Sequence, residues 1–344
     1  MSASRLKGSL LEYIVRRLLL NCGFTRVRAD GILIFSQSGL TMINGKGAAH
    51  DADVLMNPPI QMPFSYPYRL NFECKAYNKK TDLAVIRNAL GLRYDINEFE
   101  IVTKQQLIKR QNNRRFSLAI DNRQRFNYQV GVASVEGFSK PAFEFAANNK
   151  IPLLSLRWFL PPHVCDMFQK ITNSYVNQFT KKDISDLISF LKGEKNNRGR
   201  YFIENKKSIF KTIYDAFLEF ENKVLIGLLE SGDLLFLFDE NNNALEYISG
   251  NKVSLNAQIH YRTRQIDYWS LSINNSVEFG FYLPSNIMMM WKNQNFEQQA
   301  AVDIKSQMFS KVFIFTKDDE IPFRILNIDR RWLDELGSDE PENT

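Results

Sequence analysis

The sequence predicts an α/β domain with a central mixed sheet flanked by helices, followed by an α+β domain. The first half alternates segments of helical spacing with short apolar segments that are typical of buried strands. The second half begins with helices and changes, from about residue 224, to paired strands separated by turn residues. Its 344 residues also exceed the size of one ordinary domain. We therefore predict domains at residues 1–162 and 163–336, and an acidic disordered tail at 337–344.

The elements of the first domain follow from the spacing of apolar residues and from the positions of Gly and Pro. Apolar residues at steps of three and four predict a first helix over 4–21, which Gly23 ends. A stretch rich in Gly and Asn predicts a turn at 41–47, and four prolines make the connection from 57 to 67 irregular. The other expected elements are strands at 32–35, 51–56 and 70–77, a helix at 81–94, a strand at 127–135, a helix at 139–149 and a strand at 151–156.

The second domain is expected to contain helices and then antiparallel hairpins. Helical spacing covers 164–179, 184–191 and 201–222. The expected hairpins join 224–229 to 234–238, 269–273 to 277–283, and 312–316 to 322–326. This arrangement matches no fold type that we identify from the sequence.

The composition is that of a soluble globular protein, with 44% hydrophobic and 24% charged residues. No apolar run approaches the roughly 20 residues of a membrane span, and residues 1–20 lack the apolar core of a signal peptide. We therefore expect a cytoplasmic protein with no membrane partner. Cys22, Cys74 and Cys165 lie too far apart for a disulfide framework or a zinc site, and we expect them to be small buried hydrophobic residues.

The positive charge is concentrated in one segment. The chain has a formal net charge of +6, and the basic residues between Lys104 and Arg125 are opposed there only by Asp121. Basic side chains that contact phosphates release counterions and position a duplex without reading its sequence. The alternative is a solvated helix and loop. The predicted nucleic-acid contacts are Lys104, Lys109, Arg110, Arg114 and Arg115.

Two acids and a lysine are expected to meet at the centre of the first domain. In a strand over 70–77, alternation puts Glu73 and Lys75 side by side on the polar face. The neighbouring strand carries Asp51 and Asp53 on one face. If the two strands pair, Asp53 meets Glu73 beside the lysine, and Asp51 replaces it if the register slips by two residues. The alternative for Glu73 and Lys75 is an ordinary exposed ion pair.

This geometry suits the hydrolysis of a phosphodiester bond. Mg²⁺ prefers carboxylate oxygens and usually keeps several waters. Asp53 and Glu73 are the expected metal ligands, and the backbone carbonyl of Cys74 is a third. A metal ion there activates water and neutralises charge on the phosphate, while Lys75 orients that water and stabilises the developing charge.

Asp53 followed by Glu73-Cys74-Lys75 resembles the active-site motif of the PD-(D/E)XK nuclease superfamily, specifically its Mrr-like restriction-endonuclease branch. The E-x-K triplet alone is a weak signal, so the order of the accompanying segments carries the resemblance, which covers about residues 5–157. These segments are Gly8-x-x-Leu11-Glu12 with Cys22-Gly23-Phe24, then His50 to Leu55, Val85 to Gly91, Val130 to Ser134, Gly137 to Ala142 and Ala147 to Ile151.

The resemblance implies a restriction-endonuclease-like fold and a DNA endonuclease that depends on Mg²⁺, with Mn²⁺ as a substitute. It implies Asp53 and Glu73 as metal ligands and Lys75 as the catalytic lysine. It also implies Glu12 as the acid of the first helix that helps to hold water at the metal; the alternative for Glu12 is an ion pair with Arg16, four residues on. The family implies restriction or anti-phage defence with partner proteins, and double-strand cleavage implies a homodimer or a higher homo-oligomer.

Two other hypotheses about function stay open at this point. In the first, the nuclease fold is a catalytically silent module that binds nucleic acid. In the second, the chain is an effector nuclease that a ligand or a partner activates through the C-terminal domain.

Overall fold

The structure is a computed structural model that describes residues 2–37, 39–61, 65–98, 125–240, 242, 244–250, 253–262, 265–274, 276–317 and 321–338. In chain order, the first half contains α1 (Ala3–Asn21), β1 (Thr25–Arg26), β2 (Ile34–Gln37), β3 (Leu40–Asn44), β4 (Ala49–Asp51), β5 (Val54–Asn57), β6 (Tyr68–Lys75), α2 (Leu83–Asn97), β7 (Asn127–Ser134), α3 (Lys140–Asn148) and β8 (Leu153–Ser155).

The larger sheet of the first half is mixed, as predicted. It has five strands in the order β1-β5-β6-β7-β8. β5 pairs antiparallel with β1 and β6, whereas β7 pairs parallel with β6 and β8. α1 covers one face, where Val54, Met56 and Phe72 are buried, and α2 and α3 cover the other, where Val130 and Val132 are buried. The predicted α/β class, with a mixed central sheet and flanking helices, is confirmed.

The first helix is fixed at both ends by local interactions. The hydroxyl of Ser2 accepts a hydrogen bond from the backbone N–H of Arg5, which caps the N-terminus. Gly23 follows the helix with a φ of +81°, and an added Cβ there would lie 2.7 Å from the carbonyl oxygen of Thr316. Both the backbone conformation and the close approach of the C-terminal half therefore require glycine. The predicted helix and its end are confirmed.

Two details of the first half differ from the predictions. The prediction of a turn at 41–47 is wrong for its first residues, because these belong to β3, which pairs with β2 and β4 in a separate three-stranded sheet. Ile43 is buried there opposite Ile34, so burial outweighs the turn propensity of the Asn and Gly residues that follow. The strand predicted at 51–56 is interrupted at Ala52 and Asp53, because β4 belongs to the smaller sheet and β5 to the larger one.

The segment after β8 is helical. It contains α4 (Pro162–Lys170), α5 (Asn173–Val176), α6 (Lys181–Leu191), α7 (Asn197–Asn205) and α8 (Ile209–Phe220). The predicted helices at 164–179 and 201–222 are wrong in extent, because each of these stretches is split between two helices. Thr172 caps the start of α5 and Ser208 caps the start of α8, and each accepts a hydrogen bond from a backbone N–H three residues on. These caps interrupt an apolar spacing that runs on in the sequence.

The last part of the chain forms a closed barrel with additional helices. In chain order the elements are β9 (Val224–Leu229), β10 (Leu234–Asp239), α9 (Ala244–Gly250), β11 (Ser254–Arg262), β12 (Gln265–Ile273), β13 (Val277–Tyr282), α10 (Ser285–Asn293), α11 (Gln298–Met308), β14 (Lys311–Phe315), β15 (Phe323–Ile328) and α12 (Arg330–Ser338). The strand order is β10-β13-β12-β11-β15-β14-β9, and β11 pairs parallel with β15. The three predicted hairpins are confirmed.

The predicted acidic tail is wrong at its start. α12 continues to Ser338, so residues 337 and 338 belong to a helix. Residues 339–344 lie outside the described residues.

Strand β10 is buried on both faces, and this joins the barrel to the first half. Leu235 and Leu237 belong to the hydrophobic cluster of the barrel. Phe236 and Phe238 belong instead to the cluster that contains the apolar face of α1 and Phe72 of β6. One hydrophobic cluster therefore extends across residue 162, and the predicted division into domains there stays a prediction.

Two predictions about single features can be compared with the structure. Cys22, Cys74 and Cys165 are buried and carry free thiols, as predicted. Among the described residues, no helix has both the length and the apolar character that crossing a lipid bilayer requires.

Candidate active site

The structure brings Asp53, Glu73 and Lys75 together at the end of strand β6. Val54 of β5 pairs with Phe72 of β6, so the preceding Asp53 lies opposite Glu73. The Nζ atom of Lys75 is 3.0 Å from Oε2 of Glu73 and 3.9 Å from Oδ2 of Asp53. Oδ2 of Asp53 also accepts a hydrogen bond of 2.7 Å from the backbone N–H of Cys74. The expected register is therefore present, without the slip that would replace Asp53.

These three side chains are accessible but not freely solvated. The side chains of Asp53 and Glu73 are each 19% exposed, and that of Lys75 is 25% exposed. An ion pair on a solvated strand would be far more exposed, and its charges would be screened by water. Because these side chains are largely shielded from water, their charges interact more strongly than at the surface. A site of this kind can stabilise charge that develops during a reaction.

The carboxyl group of Asp53 is strongly perturbed by this environment. Burial, which is the largest cause, and the charges of Glu73 and Glu12 together raise the pKa of Asp53 from its usual 3.8 to about 7. The charge of Lys75 and the hydrogen bond from Cys74 oppose this shift. Crowded carboxylates with a raised pKa are a common feature of catalytic and metal sites, because a bound cation relieves their repulsion.

Glu12 belongs to the same electrostatic cluster, although it comes from α1. Burial raises the pKa of Glu12, Lys192 and Arg16 lower it, and Asp51 raises it. The sequence allowed an ion pair between Glu12 and Arg16, but none within 4 Å is found among the described residues. The guanidinium of Arg16 instead donates a hydrogen bond to the carbonyl of Leu191 at the end of α6. The charge of Glu12 raises the pKa of Asp53, so Glu12 lies close enough to act on the site.

Asp51 lies beside the site without taking the position of Asp53. It pairs with Met42 in the smaller sheet. Burial raises the pKa of Asp51, and the negative charge of Glu73 contributes to this rise. Asp51 is therefore a fourth carboxylate in the neighbourhood.

Lys192 is a residue of this cluster that the sequence did not identify. It follows α6, and its Nζ atom donates a hydrogen bond of 3.2 Å to the carbonyl of Gly39. Among the charged neighbours of Glu12 and of Asp51, Lys192 has the largest effect on the pKa, which it lowers in both cases. Nothing near Lys192 in the sequence indicates this, because the approach depends on the packing of α6 against α1.

Replacing Lys192 with alanine is expected to lower the rate of phosphodiester cleavage by about tenfold. For the nuclease that the sequence resemblance implies, the lysine supplies positive charge to a site that receives a polyanion, but it is farther from Glu73 than Lys75 is, so the loss is smaller than for Lys75. The rate of plasmid cleavage at several salt concentrations measures the effect. The exposed Lys195, three residues on, gives the matched control. Equal rates for Lys192→Ala and Lys195→Ala would remove Lys192 from the site.

The donor set fits Mg²⁺ in its chemistry. Among the described residues, no three His, Cys, Asp or Glu side chains converge as a ready-made metal site. The carboxylates of Asp53 and Glu73 are oxygen donors of the kind that Mg²⁺ prefers, and Mg²⁺ usually keeps several waters. The thiol of Cys74 is buried in the core, and burial raises its pKa well above the usual range. Cys74 can therefore offer a metal ion only its backbone carbonyl, and this ligand stays a prediction.

Asp53→Asn is expected to make the metal-free protein more stable than the wild type at pH 8. The folded state holds a proton on Asp53 up to about pH 7, whereas the unfolded chain releases it near pH 3.8. The stability of the wild type therefore falls as pH rises between these two values. Asparagine keeps the acceptor for the N–H of Cys74 and removes the charge, so the free energy of unfolding should rise by more than ~1 kcal/mol at pH 8.

Urea unfolding in EDTA at pH 4 and pH 8 measures this difference. It should be present at pH 8 and nearly vanish at pH 4, and Asp334→Asn on an exposed surface should show no such dependence. A variant that is less stable than the wild type at pH 8 would contradict the raised pKa of Asp53.

The predicted nucleic-acid contacts cannot be compared with the structure. Lys104, Lys109, Arg110, Arg114 and Arg115 all lie outside the described residues, which resume at Arg125.

Comparison with known proteins gives little further information. No protein-family model matches the chain, and no curated protein sequence matches it. A similar solved structure, a crystal structure described as "Protein of Unknown Function AF1548", covers 62% of this chain and 95% of that protein, with 15% sequence identity and a TM-score of 0.33. A likeness this low carries no conclusion about fold or function.

Proposed function

We propose that the chain is a Mg²⁺-dependent nuclease of the restriction-endonuclease-like fold that hydrolyses phosphodiester bonds in DNA. The observation that carries the proposal is the distance from Nζ of Lys75 to two carboxylates on paired strands, 3.0 Å to Glu73 and 3.9 Å to Asp53. The mixed sheet supports the fold, because β5 and β6 are antiparallel, β6 to β8 are parallel, and α1 lies across them.

The residues of the site have separate roles in this reaction. When bound between Asp53, Glu73 and the carbonyl of Cys74, Mg²⁺ would activate a water molecule and neutralise charge on the phosphate. Burial lowers the pKa of Lys75, but the charges of Glu73 and Asp53 outweigh it and the pKa is raised overall. Lys75 therefore stays protonated and acts as a charged hydrogen-bond donor to the oxygen where negative charge develops. Glu12, whose pKa burial raises, would help to hold water at the bound metal.

The wider setting of this reaction rests on the sequence resemblance. It comprises a role in restriction or anti-phage defence, partner proteins for other activities, and the phosphate contacts of the basic segment from Lys104 to Arg115. Cleavage of both strands would need two such sites, so a homodimer is part of the proposal. A cytoplasmic location is part of it too.

Incubation of the purified full-length chain with supercoiled plasmid tests the proposal. We expect Mg²⁺ to support nicking or linearisation, Mn²⁺ to replace it, and EDTA to abolish it. A folded chain that binds DNA but cleaves neither plasmid nor single-stranded RNA with either metal would support the silent binding module instead. Cleavage of RNA alone would keep the site and change the substrate.

A further inference from the structure

The side-chain amide of Asn71 is buried without a hydrogen-bond partner. Asn71 lies on β6, and its exposed fraction is 0%. Neither Nδ2 nor Oδ1 of this amide is hydrogen-bonded to another described residue. Among the described residues, the other buried side-chain polar atom without a partner is Nε of Arg69, two residues earlier on the same strand. An unpaired buried amide is costly, and folded proteins usually supply it with a partner, either a protein group or an ordered water.

The register of the sheet places Asn71 directly behind the candidate active site. Side chains alternate along a strand, so Arg69, Asn71 and Glu73 lie on one face of β6. Asn71 pairs with Leu55 on one side and with Val130 on the other, and both of these residues are buried and apolar. The polar neighbours of Asn71 on the same face of β6 are therefore Glu73 and Arg69.

Arg69 cannot satisfy the N–H groups of this amide. A guanidinium has only donors, whereas Nδ2 of Asn71 needs an acceptor. Arg69 is also occupied by other groups, since its Nη1 atom donates a hydrogen bond of 3.0 Å to the hydroxyl of Tyr128. Burial raises the pKa of Asp30, but backbone hydrogen bonds and the charge of Arg69 outweigh this effect and lower the pKa overall. Glu73 is thus the neighbour on β6 that can accept from the amide.

The carboxylate of Glu73 can accept further hydrogen bonds. Its Oε2 atom accepts one of 3.0 Å from Nζ of Lys75, and an ionised carboxylate has room for about four. Asn71 and Glu73 do not bond to each other directly. The Cα atoms of residues two apart along a strand are separated by roughly 6–7 Å. A single water with hydrogen bonds of about 2.8 Å on each side bridges polar groups over such a gap.

We propose that Asn71 is a positioning residue whose amide holds the carboxylate of Glu73 through a buried water molecule. Nδ2 of Asn71 donates to this water, and the water donates to Glu73. A second water, which accepts from Nε of Arg69 and donates to Oδ1 of Asn71, completes the pairing of all three atoms.

This inference rests on the proposed function, because it takes Glu73 as a metal ligand. A group that orients a metal ligand from behind usually changes the metal affinity by about 10–100-fold when it is removed. Asn71 therefore controls how tightly the site binds a divalent cation, although it contacts neither the cation nor DNA.

Titration of the full-length chain with Mn²⁺, followed by electron paramagnetic resonance of the free ion, measures this effect. Asn71→Leu keeps a similar volume and removes the amide, so we expect it to weaken Mn²⁺ binding by at least about tenfold. Asn71→Ser has a hydroxyl that can hold the same water and should stay within about threefold of the wild type. Val130→Ala loosens the packing beside Asn71 without changing its polarity, and this matched control should also stay within about threefold.

Circular dichroism establishes that each variant is folded. Equal Mn²⁺ affinities of the wild type and folded Asn71→Leu would overturn the inference. A loss in Val130→Ala or in Asn71→Ser as large as the loss in Asn71→Leu would do the same, because the effect would then come from packing and not from the water.

A high-resolution crystal structure of the metal-free chain tests the water itself. We expect electron density for a water within hydrogen-bond distance of both Asn71 and Glu73. Its absence would overturn the inference whether or not the chain binds metal. A wild type that binds no Mn²⁺ while this water is present would instead count against the proposed function and for the water bridge.

Discussion

Replacement of Lys75 with alanine is expected to lower the rate of Mg²⁺-dependent plasmid cleavage by a factor of about 10²–10³, which is the usual cost of removing one donor aimed at developing charge. Its ammonium is 3.0 Å from Glu73 and 3.9 Å from Asp53, so no other described cation is as close to both carboxylates. The folded chain should persist, because the side chain is 25% exposed and its removal leaves little unfilled space in the core.

Single-turnover cleavage of a supercoiled plasmid, together with DNA binding in Ca²⁺, separates chemistry from binding. Lys170→Ala, on an exposed position of α4, is the matched control and should cleave at the wild-type rate. Cleavage by Lys75→Ala within a factor of three of the wild type would show that the reaction occurs elsewhere on the chain. Lost cleavage together with lost binding would assign Lys75 to DNA contact.

Trp269→Ala is expected to lower the free energy of unfolding by about 3–5 kcal/mol, as is typical when a large aromatic side chain is removed from a core. Trp269 on β12 is fully buried in the barrel. Its ring lies 5.2 Å from Trp291, 6.0 Å from Phe309 and 6.2 Å from Tyr261, measured between centroids. The surrounding rings come from several elements, so they cannot collapse together to fill the space.

Urea unfolding followed by circular dichroism measures this loss. Trp332→Ala, which removes the same ring from a half-buried position of α12, should cost less than half as much. Because a hydrophobic cluster joins the barrel to the first half, we also expect the first half to unfold in the same transition. A second transition in Trp269→Ala at the wild-type midpoint would support independent domains divided near residue 162.

The sequence predicts the core of the candidate site because that core depends on local spacing. Alternation along β6 is enough to put Glu73 and Lys75 on one face, and a neighbouring strand that ends in acids suggests the partner. Lys192 could not be found in this way. Its position depends on a contact between Arg16 and the end of α6, and these residues are about 175 apart in the chain.

The closure of the barrel also depends on residues far apart in the chain, so the sequence did not predict it. Hairpins were predicted because each is closed by a turn of a few residues. Closure requires β11 to pair in parallel with β15, which lies far along the chain, and no local pattern encodes that pairing. The strand β11 itself did carry a signal, since Leu255, Ala257 and Ile259 alternate with polar residues, as in a half-buried strand.

The two buried faces of β10 have a consequence for how the chain selects its pairing. In a strand with one solvent-exposed face, a register shift by one residue moves the apolar side chains into solvent and is therefore unfavourable. Residues 234–238 are all apolar, so such a shift would exchange leucines for phenylalanines and expose nothing. The register of β10 against β9 must then be set by the turn between them. In this turn Gly232 has a φ of +85°, and the carboxylate of Asp233 accepts a hydrogen bond from the hydroxyl of Ser231. Three small or polar residues thus decide which aromatic rings reach the neighbouring sheet.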